Sequence, residues 1–129
     1  LTHNVARDTD ALTQYSAEKG HFDVLFECTG VAPVVASTIP ALRPGATMVQ
    51  LGLGGDMTLP VQAMTAKEQQ FKGSFRFHAE FFEAVDLMRH GRLNVAPLIT
   101  ATLPLEQMQT AFELASDRTQ ALKVQLSFD

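Results

Sequence analysis

The chain has 129 residues, of which 46% are hydrophobic, and a formal net charge of -4. This composition suits one compact domain, or most of one, with a real core, and it excludes an intrinsically disordered chain. The 10 Lys and Arg residues are scattered, which argues against a nucleic-acid partner. No apolar run is long enough to span a membrane and no signal segment opens the chain, so we expect a cytoplasmic location and no membrane partner.

Metal and disulfide chemistry have little support in the composition. The single cysteine, Cys28, cannot form an internal disulfide and can supply only one ligand to a structural zinc site. The four histidines are dispersed, with no pair at metal-ligand spacing, so we predict no metal site within the chain. The sequence starts at Leu1 rather than at methionine, which suggests a part of a longer protein.

The N-terminal residues carry weak signals. Residues 1–5 are compatible with the end of a strand that continues into a loop. Asp8 or Asp10 can cap a helix that ends at Lys19-Gly20, where a cation and a glycine both suit a helix C-terminus.

A strand, a helix and a second strand are predicted over residues 22–55. The apolar run 22–28 is followed by Thr29-Gly30, which is typical of a buried strand that turns into a helix. A second apolar run, 46–51, is followed by Gly52-Leu53-Gly54-Gly55. Between the two runs, apolar residues recur at helical spacing, which predicts a parallel βαβ unit. These residues are Val31, Val34, Val35, Ile39 and Leu42.

Prolines shape the ends of this helix. Pro33 is tolerable in a first helical turn, whereas Pro40 lacks the N–H for a helical hydrogen bond, so the helix must kink or loosen there. Arg43-Pro44-Gly45 is predicted to form the turn into the second strand.

A binding site is predicted where the two strands end, because ligands of open α/β sheets bind outside the carboxyl ends of the strands. The glycines at 52–55 are followed by residues 56–60, which do not open a helix, so they are not a dinucleotide fingerprint. Two interpretations remain open. Gly52 and its neighbours form a simple turn and Thr29 caps the helix, or the glycines leave room for a flat ligand.

Residues 71–77 alternate imperfectly and predict a third strand with its phenylalanines on one face. Gly73 within it suggests a close backbone approach. Arg76 at its end has two interpretations. It forms a surface ion pair of little energetic weight, or it faces the rim, where its planar guanidinium suits a carboxylate.

The rest of the chain predicts helix, strand, helix and strand. The first helix ends at Arg89-His90-Gly91, and its buried face consists of Phe81, Phe82, Val85 and Met88. Residues 98–103 and 122–128 are predicted strands that flank a helix opened by Pro104. Their alternation indicates one solvent-exposed face, so we expect these strands to belong to a different sheet.

Five stretches taken together resemble the C-terminal half of a medium-chain dehydrogenase/reductase of the zinc-dependent sorbitol and polyol branch. They follow the family order and cover nearly the whole chain, and they are specific jointly rather than singly. The stretches are 22–30, 42–54, 72–77, 104–113 and 122–128.

The resemblance implies an α/β fold with two parts. Residues 1–95 would be the second half of a Rossmann-type, doubly wound parallel sheet, and residues 96–129 a C-terminal segment that belongs to the GroES-like catalytic domain. The implied function is an oxidoreductase that transfers a hydride from a polyol or sugar acid to NAD or NADP, as a homodimer or homotetramer. The implied zinc ligands and glycine fingerprint lie outside this chain, so no catalytic residue is assigned within it and the chain alone is expected to be inactive.

The resemblance also implies individual roles. Arg76 matches an arginine that contacts substrate and cofactor, and Phe77 stands where sorbitol dehydrogenases often have a tyrosine. Because that hydroxyl is missing, the resemblance favours another polyol or a sugar acid over sorbitol. The implied cofactor-binding residues are Thr29, Gly30, Leu51, Gly52, Leu53, Phe75, Arg76 and Lys123.

Two alternatives remain open. The first is a zinc-independent reductase of the quinone or enoyl type, which the zinc ligands outside this chain would distinguish. The second is a non-catalytic cofactor-binding or assembly module. It gains support because the strand at 22–28 would form an apolar sheet edge if the first half of the sheet were missing.

Overall fold

The structure is a computed structural model that describes residues 2–4, 7–8 and 10–128. The predicted strand end at residues 1–5 includes Leu1 and Val5, which lie outside the described residues, and residues 2–4 are not in a strand. The chain divides into two compact units, Leu1–Arg76 and Phe77–Asp129. Each unit is α/β and is described by itself.

A parallel three-stranded sheet forms the centre of the first unit. Its strands are β1 (Phe22–Glu27), β2 (Leu42–Gln50) and β3 (Gln70–Gly73), in the order β1-β2-β3. Both neighbouring pairs are parallel. Helix α1 (Ala32–Thr38) connects β1 to β2, so the predicted βαβ unit is confirmed.

Helix α1 gives way to a 3-10 turn, Ile39–Ala41, which contains Pro40. The predicted loosening at this proline is therefore confirmed. Helix α2 (Val61–Ala66) follows the glycine-rich loop and supplies Met64 to the core. The core of the unit packs α1 and α2 against β2, and Val35 and Met48 are fully buried. Its members are Val35, Ile39, Leu42, Ala46, Met48 and Met64.

The predicted turn at residues 43–45 lies inside β2, because the strand already begins at Leu42. The stretch bulges from the ladder opposite Asp23, where the register between β1 and β2 shifts. Pro44 has no N–H to donate to a neighbouring strand and Gly45 has a φ of 76°, both of which suit a bulge. The Arg43 guanidinium forms an ion pair with the Asp23 carboxylate across it.

The predicted N-terminal helix is wrong. Two short 3-10 turns, Thr13–Tyr15 and Ala17–Lys19, replace it. Glu18 and Lys19 have φ values of 51° and 74°, which are left-handed and incompatible with a continuing right-handed helix. The apolar stripe of this segment is thin, so little packing energy is available to hold a regular helix.

The third strand is shorter than predicted. It ends at Gly73, so Phe75 and Phe77 lie beyond it and do not share a strand face with Phe71. Arg76 has a left-handed φ of 61°, which interrupts an extended backbone. A Cβ on Gly73 would meet nothing within 4 Å, so the predicted close approach at this glycine is also wrong.

Strand β1 presents apolar side chains on one face. Phe22, Val24 and Phe26 alternate along the strand and are 37%, 49% and 67% exposed. Leu25, on the opposite face, packs against the core that α1 covers. Among the described residues, β1 pairs only with β2, so its other edge is open. The sheet of this unit is therefore covered on one face and open along one apolar edge.

The second unit contains a separate sheet, as predicted. The unit consists of α3 (Glu80–Arg89), β4 (Ile99–Pro104), α4 (Met108–Ser116) and β5 (Lys123–Ser127). Strands β4 and β5 pair in parallel, and α4 packs against them. Short 3-10 turns, Ala96–Leu98 and Leu105–Gln107, precede β4 and α4.

Helix α3 ends where the sequence predicts, but its predicted buried face is wrong. Gly91, just past the helix, has a left-handed φ of 65°, which suits a C-terminal glycine. Phe81, Phe82 and Met88 are 44%, 74% and 38% exposed, and Val85 is only half-buried. Helical spacing identifies residues that share a face, whereas the burial of that face depends on packing from distant parts of the chain.

The open edge of β1 predicts that the chain self-associates. Unpaired backbone groups beside exposed Val24 and Phe26 can pair with the same edge of another copy. We expect light scattering to report masses above the 14.1 kDa monomer, and Phe26→Lys to reduce them. Thr58→Lys, in an exposed loop, adds the same charge and serves as the control. A wild-type chain that stays monomeric at modest concentration would contradict the prediction.

Candidate functional site

The carboxyl ends of β1 and β2 touch each other. A Cβ on Gly52 would lie 2.1 Å from the backbone nitrogen of Gly30, and one on Gly54 would lie 2.0 Å from the Gly30 carbonyl oxygen. Carbon atoms do not approach backbone atoms this closely, so any larger residue would push the two segments apart. We call Thr29-Gly30 and residues 51–54 the two strand tips. The structure brings together at one rim the glycines that the sequence predicts there.

The close approach explains most of the glycines by packing. Gly30 has a left-handed φ of 65°, and a Cβ on it would lie 2.5 Å from the carbonyl carbon of Leu53. The space that each of these glycines leaves is therefore occupied by the backbone of the other tip. A Cβ on Gly55 would meet nothing within 4 Å, so this glycine borders open space.

A buried carboxylate that the sequence analysis did not single out links the two tips. Glu27, the last residue of β1, is only 3% exposed. Its side chain accepts hydrogen bonds from the backbone N–H of Thr29 at 2.7 Å and of Gly30 at 3.0 Å. The Thr29 hydroxyl and the Gln50 side-chain amide, at the end of β2, also donate to it. One carboxylate thus gathers donors from both strands.

The backbone of Glu27 strengthens this link. Its carbonyl oxygen accepts from the N–H of Leu51 at 2.8 Å and from that of Gly52 at 2.9 Å. The Gln50 amide also donates to the Gly52 carbonyl at 2.8 Å. The signal that could have drawn attention to Glu27 is a carboxylate at the end of an otherwise apolar strand, because an ionised group is buried there only with compensating donors.

The environment of Glu27 favours its ionised form. Burial raises the pKa of its carboxyl, but hydrogen bonds from Thr29, Gly30 and Gln50 outweigh this effect and lower the pKa below its ordinary value. The amide oxygen of Gln50 is buried without a hydrogen-bond partner. A charged, fully hydrogen-bonded carboxylate therefore lies directly behind the rim.

Thr29 does not cap α1, because the N-cap position is Val31. The Thr29 hydroxyl donates to Glu27 and accepts from the N–H of Val31 at 3.1 Å. The interpretation of Thr29 as a helix cap is thus corrected to a link between the helix entrance and the buried carboxylate.

Phe75 and Arg76 follow β3 close to the end of β2. The N–H of Ser74 donates to the Gln50 carbonyl at 2.9 Å, which fixes the start of this segment beside the rim. The guanidinium carbon of Arg76 lies 5.0 Å from the centroid of the Phe75 ring, a cation–π contact. Neither ion pair found among the described residues includes Arg76. The surface ion-pair interpretation of Arg76 therefore has no support in the described part of the chain.

The remaining predicted residues have the following places. Leu51 and Leu53, 43% and 76% exposed, lie on the tip that follows β2. Phe77 and Lys123 belong to the second unit, where Phe77 stacks on Phe81 with ring centroids 4.6 Å apart and Lys123 is the exposed first residue of β5. The structure thus joins five predicted residues directly at the tips, namely Thr29, Gly30, Leu51, Gly52 and Leu53.

The described part of the chain contains no set of side chains suited to bind a metal ion. No three His, Cys, Asp or Glu residues at positions 2–4, 7–8 and 10–128 are grouped so that they could hold a metal ion. Zinc therefore does not fit the residues described here. Over the same positions, none of the helices combines the length and apolar content that crossing a bilayer requires.

The contact between the tips predicts a sharp difference between two glycines. We expect Gly52→Ala to lower the free energy of unfolding by about 1–3 kcal/mol, because the new methyl group overlaps backbone atoms of Gly30 that cannot move aside independently. Gly55→Ala is the matched control and should change it far less, since its Cβ enters open space. Urea unfolding of both variants measures the difference, and equal effects would contradict the geometry.

The lowered pKa of Glu27 predicts a loss of stability in acid. Below about pH 4.5, the unfolded chain takes up this proton before the folded chain does. The stabilisation by Glu27 is therefore complete above that pH and declines as the pH falls towards the folded-state pKa. The difference in urea midpoint between wild type and Glu27→Gln should be constant from about pH 7 to 5 and shrink towards pH 3. A difference that does not vary with pH would refute this assignment.

Comparison with known proteins places this geometry in a family. Residues 2–90 match the family model for zinc-binding dehydrogenases. L-idonate 5-dehydrogenase (NAD(P)(+)) of Escherichia coli strain K12 is 41% identical over 120 residues, covering 92% of this chain and 35% of that protein. Sorbitol dehydrogenase of Gallus gallus is 35% identical over 108 residues, covering 83% and 30%.

Solved structures agree with the sequence relatives. The crystal structure of L-idonate 5-dehydrogenase from Escherichia coli K-12 superposes with a TM-score of 0.86 at 41% identity, over 90% of this chain and 34% of that chain. This chain spans about a third of the length of these relatives. The predicted parallel α/β fold of Rossmann type is confirmed. The chain belongs to the zinc-binding dehydrogenase family, within its medium-chain, polyol-type branch.

Proposed function

We propose that this chain is a C-terminal part of a zinc-dependent dehydrogenase that oxidises a polyol or sugar acid with NAD or NADP. The substrate we favour is L-idonate, which would be oxidised to 5-ketogluconate. The observation that carries the proposal is the contact between the two strand tips at one rim, the place where nucleotides bind in open α/β sheets. The 41% identity to an L-idonate 5-dehydrogenase supports the choice of substrate.

In this proposal, the two strand tips form one wall of the cofactor cleft. Gly30, Gly52 and Gly54 allow the two tips to touch, and the exposed side chains of Leu51 and Leu53 offer apolar surface to the nicotinamide end of the cofactor and keep water from it. Phe75 extends the apolar wall, and Lys123 is assigned to the pyrophosphate. When bound, the cofactor supplies the hydride acceptor.

Arg76 is assigned to substrate and cofactor. Its guanidinium lies over the Phe75 ring, which restricts the orientations of its planar donor groups. Such a fork can donate two parallel hydrogen bonds to a carboxylate, which suits a sugar acid better than a neutral polyol. Phe77 supplies an aromatic ring without a hydroxyl, which fits the same preference.

The proposed domains and assembly follow from the same relationship. Residues 1–95 are assigned to the Rossmann-type domain and residues 96–129 to a segment of the GroES-like catalytic domain. Zinc ligands would come from polypeptide other than the described residues, and this chain alone would be inactive. We also propose that the complete protein is a homodimer or homotetramer in the cytoplasm.

Activity of the complete protein tests the proposal. We expect the product of the complete coding sequence to reduce NAD or NADP with L-idonate, and we expect removal of zinc by a chelator to abolish this activity. Sorbitol and xylitol serve as neutral comparison substrates. Full activity after complete removal of zinc would refute the zinc-dependent mechanism and favour the zinc-independent reductase. Absence of activity on all three substrates would refute the substrate class.

An Arg76 variant tests the substrate contact. Arg76→Leu should raise KM for L-idonate about tenfold or more, because a charge-assisted hydrogen bond is lost, and should affect xylitol less. Arg118→Leu, which removes an exposed arginine of the second unit, is the matched control and should leave both KM values unchanged. An equal rise in KM for both substrates would show that Arg76 does not bind the substrate carboxylate.

A non-catalytic assembly module is the second candidate. The exposed apolar residues of β1, Phe22, Val24 and Phe26, along its open edge favour it. It predicts defined self-association together with no oxidation of any polyol or sugar acid by the complete protein. The activity assay therefore separates the two candidates.

A further inference from the structure

We infer that the Glu27 carboxylate is a positioning residue, which fixes the two strand tips against each other at the spacing that the cofactor needs. The inference rests on the proposed function, because it assigns the tips to the cofactor cleft. Glu27 itself would not contact the cofactor. It would act through Gly30 on one tip and through Gln50 and Gly52 on the other.

The first argument is the distribution of its donors. The Glu27 side chain accepts from the N–H groups of Thr29 and Gly30, on the tip after β1. It also accepts from the side-chain amide of Gln50, which in turn donates to the carbonyl of Gly52 on the tip after β2. The carboxylate is therefore the common partner of both tips.

The second argument is the cost of burying a charge. Glu27 is 3% exposed, and neither ion pair among the described residues includes it. All its hydrogen-bond partners, Thr29, Gly30 and Gln50, are uncharged. A buried carboxylate without a cation is stable only while several donors point at it. If either tip moved away, the Glu27 carboxylate would lose donors and its burial would cost free energy.

The third argument is the fit of the tips themselves. A Cβ on Gly52 would lie 2.1 Å from the backbone nitrogen of Gly30, so the backbones of the two tips already lie as close as they can. Packing alone limits how near they come, whereas the carboxylate opposes their separation. A neutral glutamine in place of Glu27 presents an NH₂ group to donors, so it cannot gather the same hydrogen bonds.

Amide NMR of the ¹⁵N-labelled chain between pH 7 and 3 tests the link without any cofactor. We expect the amide signals of Gly30 and Gly52 to shift with one shared acidic midpoint, and Glu27→Gln to abolish the shift at both. Gln50→Met should keep the shift at Gly30 and weaken it at Gly52, because only the bridge to the second tip is removed. If Gly52 does not follow Gly30 in the wild type, the inference is wrong.

NADH binding to the complete protein, with the same substitutions, tests the consequence. We expect Glu27→Gln and Gln50→Met to weaken NADH binding about tenfold, and Glu106→Gln, an exposed carboxylate in the other unit, to leave it unchanged. Unfolding midpoints measured in parallel show that the variants are folded. Equal NADH affinity for wild type and both variants would overturn the positioning role. Coupled tips in the chain, together with a complete wild-type protein that does not bind NADH, would instead refute the cofactor assignment of the proposed function.

Discussion

The contact between two backbone segments, Thr29-Gly30 and residues 51–54, is the constraint on which the candidate site depends. The parallel pairing of β1 and β2 brings both segments to one rim, and glycines allow them to touch. Glu27 then holds both segments through its carboxylate and through its carbonyl oxygen. A rim built in this way is held by close backbone contacts and one buried carboxylate, so substitutions at its glycines or at Glu27 would alter it most.

Local patterns were sufficient to predict the βαβ unit and the separate C-terminal sheet. The apolar runs 22–28 and 46–51 are each followed by glycine, and Pro40 marks the change from helix α1 to a 3-10 turn. The alternation of β5 predicted a sheet with one exposed face, and β4 and β5 form their own parallel pair. These features depend on neighbouring residues, which is why the sequence alone reveals them.

Other features depend on contacts that the sequence does not display. Glu18 and Lys19 adopt left-handed conformations that end the predicted N-terminal helix, and Phe82 remains 74% exposed although its spacing suggests burial. The role of Glu27 requires donors from Gln50, which lies on the neighbouring strand. At the site, the glycines and their rim could be predicted from position along the strands, whereas the hydrogen-bond partners of the carboxylate behind them could not.

The small sheet of the second unit has a consequence for the way this protein folds. Two strands and the helix packed on them enclose a single buried apolar residue among the described positions, Ala111, so little free energy compensates for the entropy lost in ordering them. The first unit, by contrast, holds its own buried apolar cluster around Met48. We expect β4 and β5 to become ordered last. Their folding should be cooperative only when further polypeptide covers them.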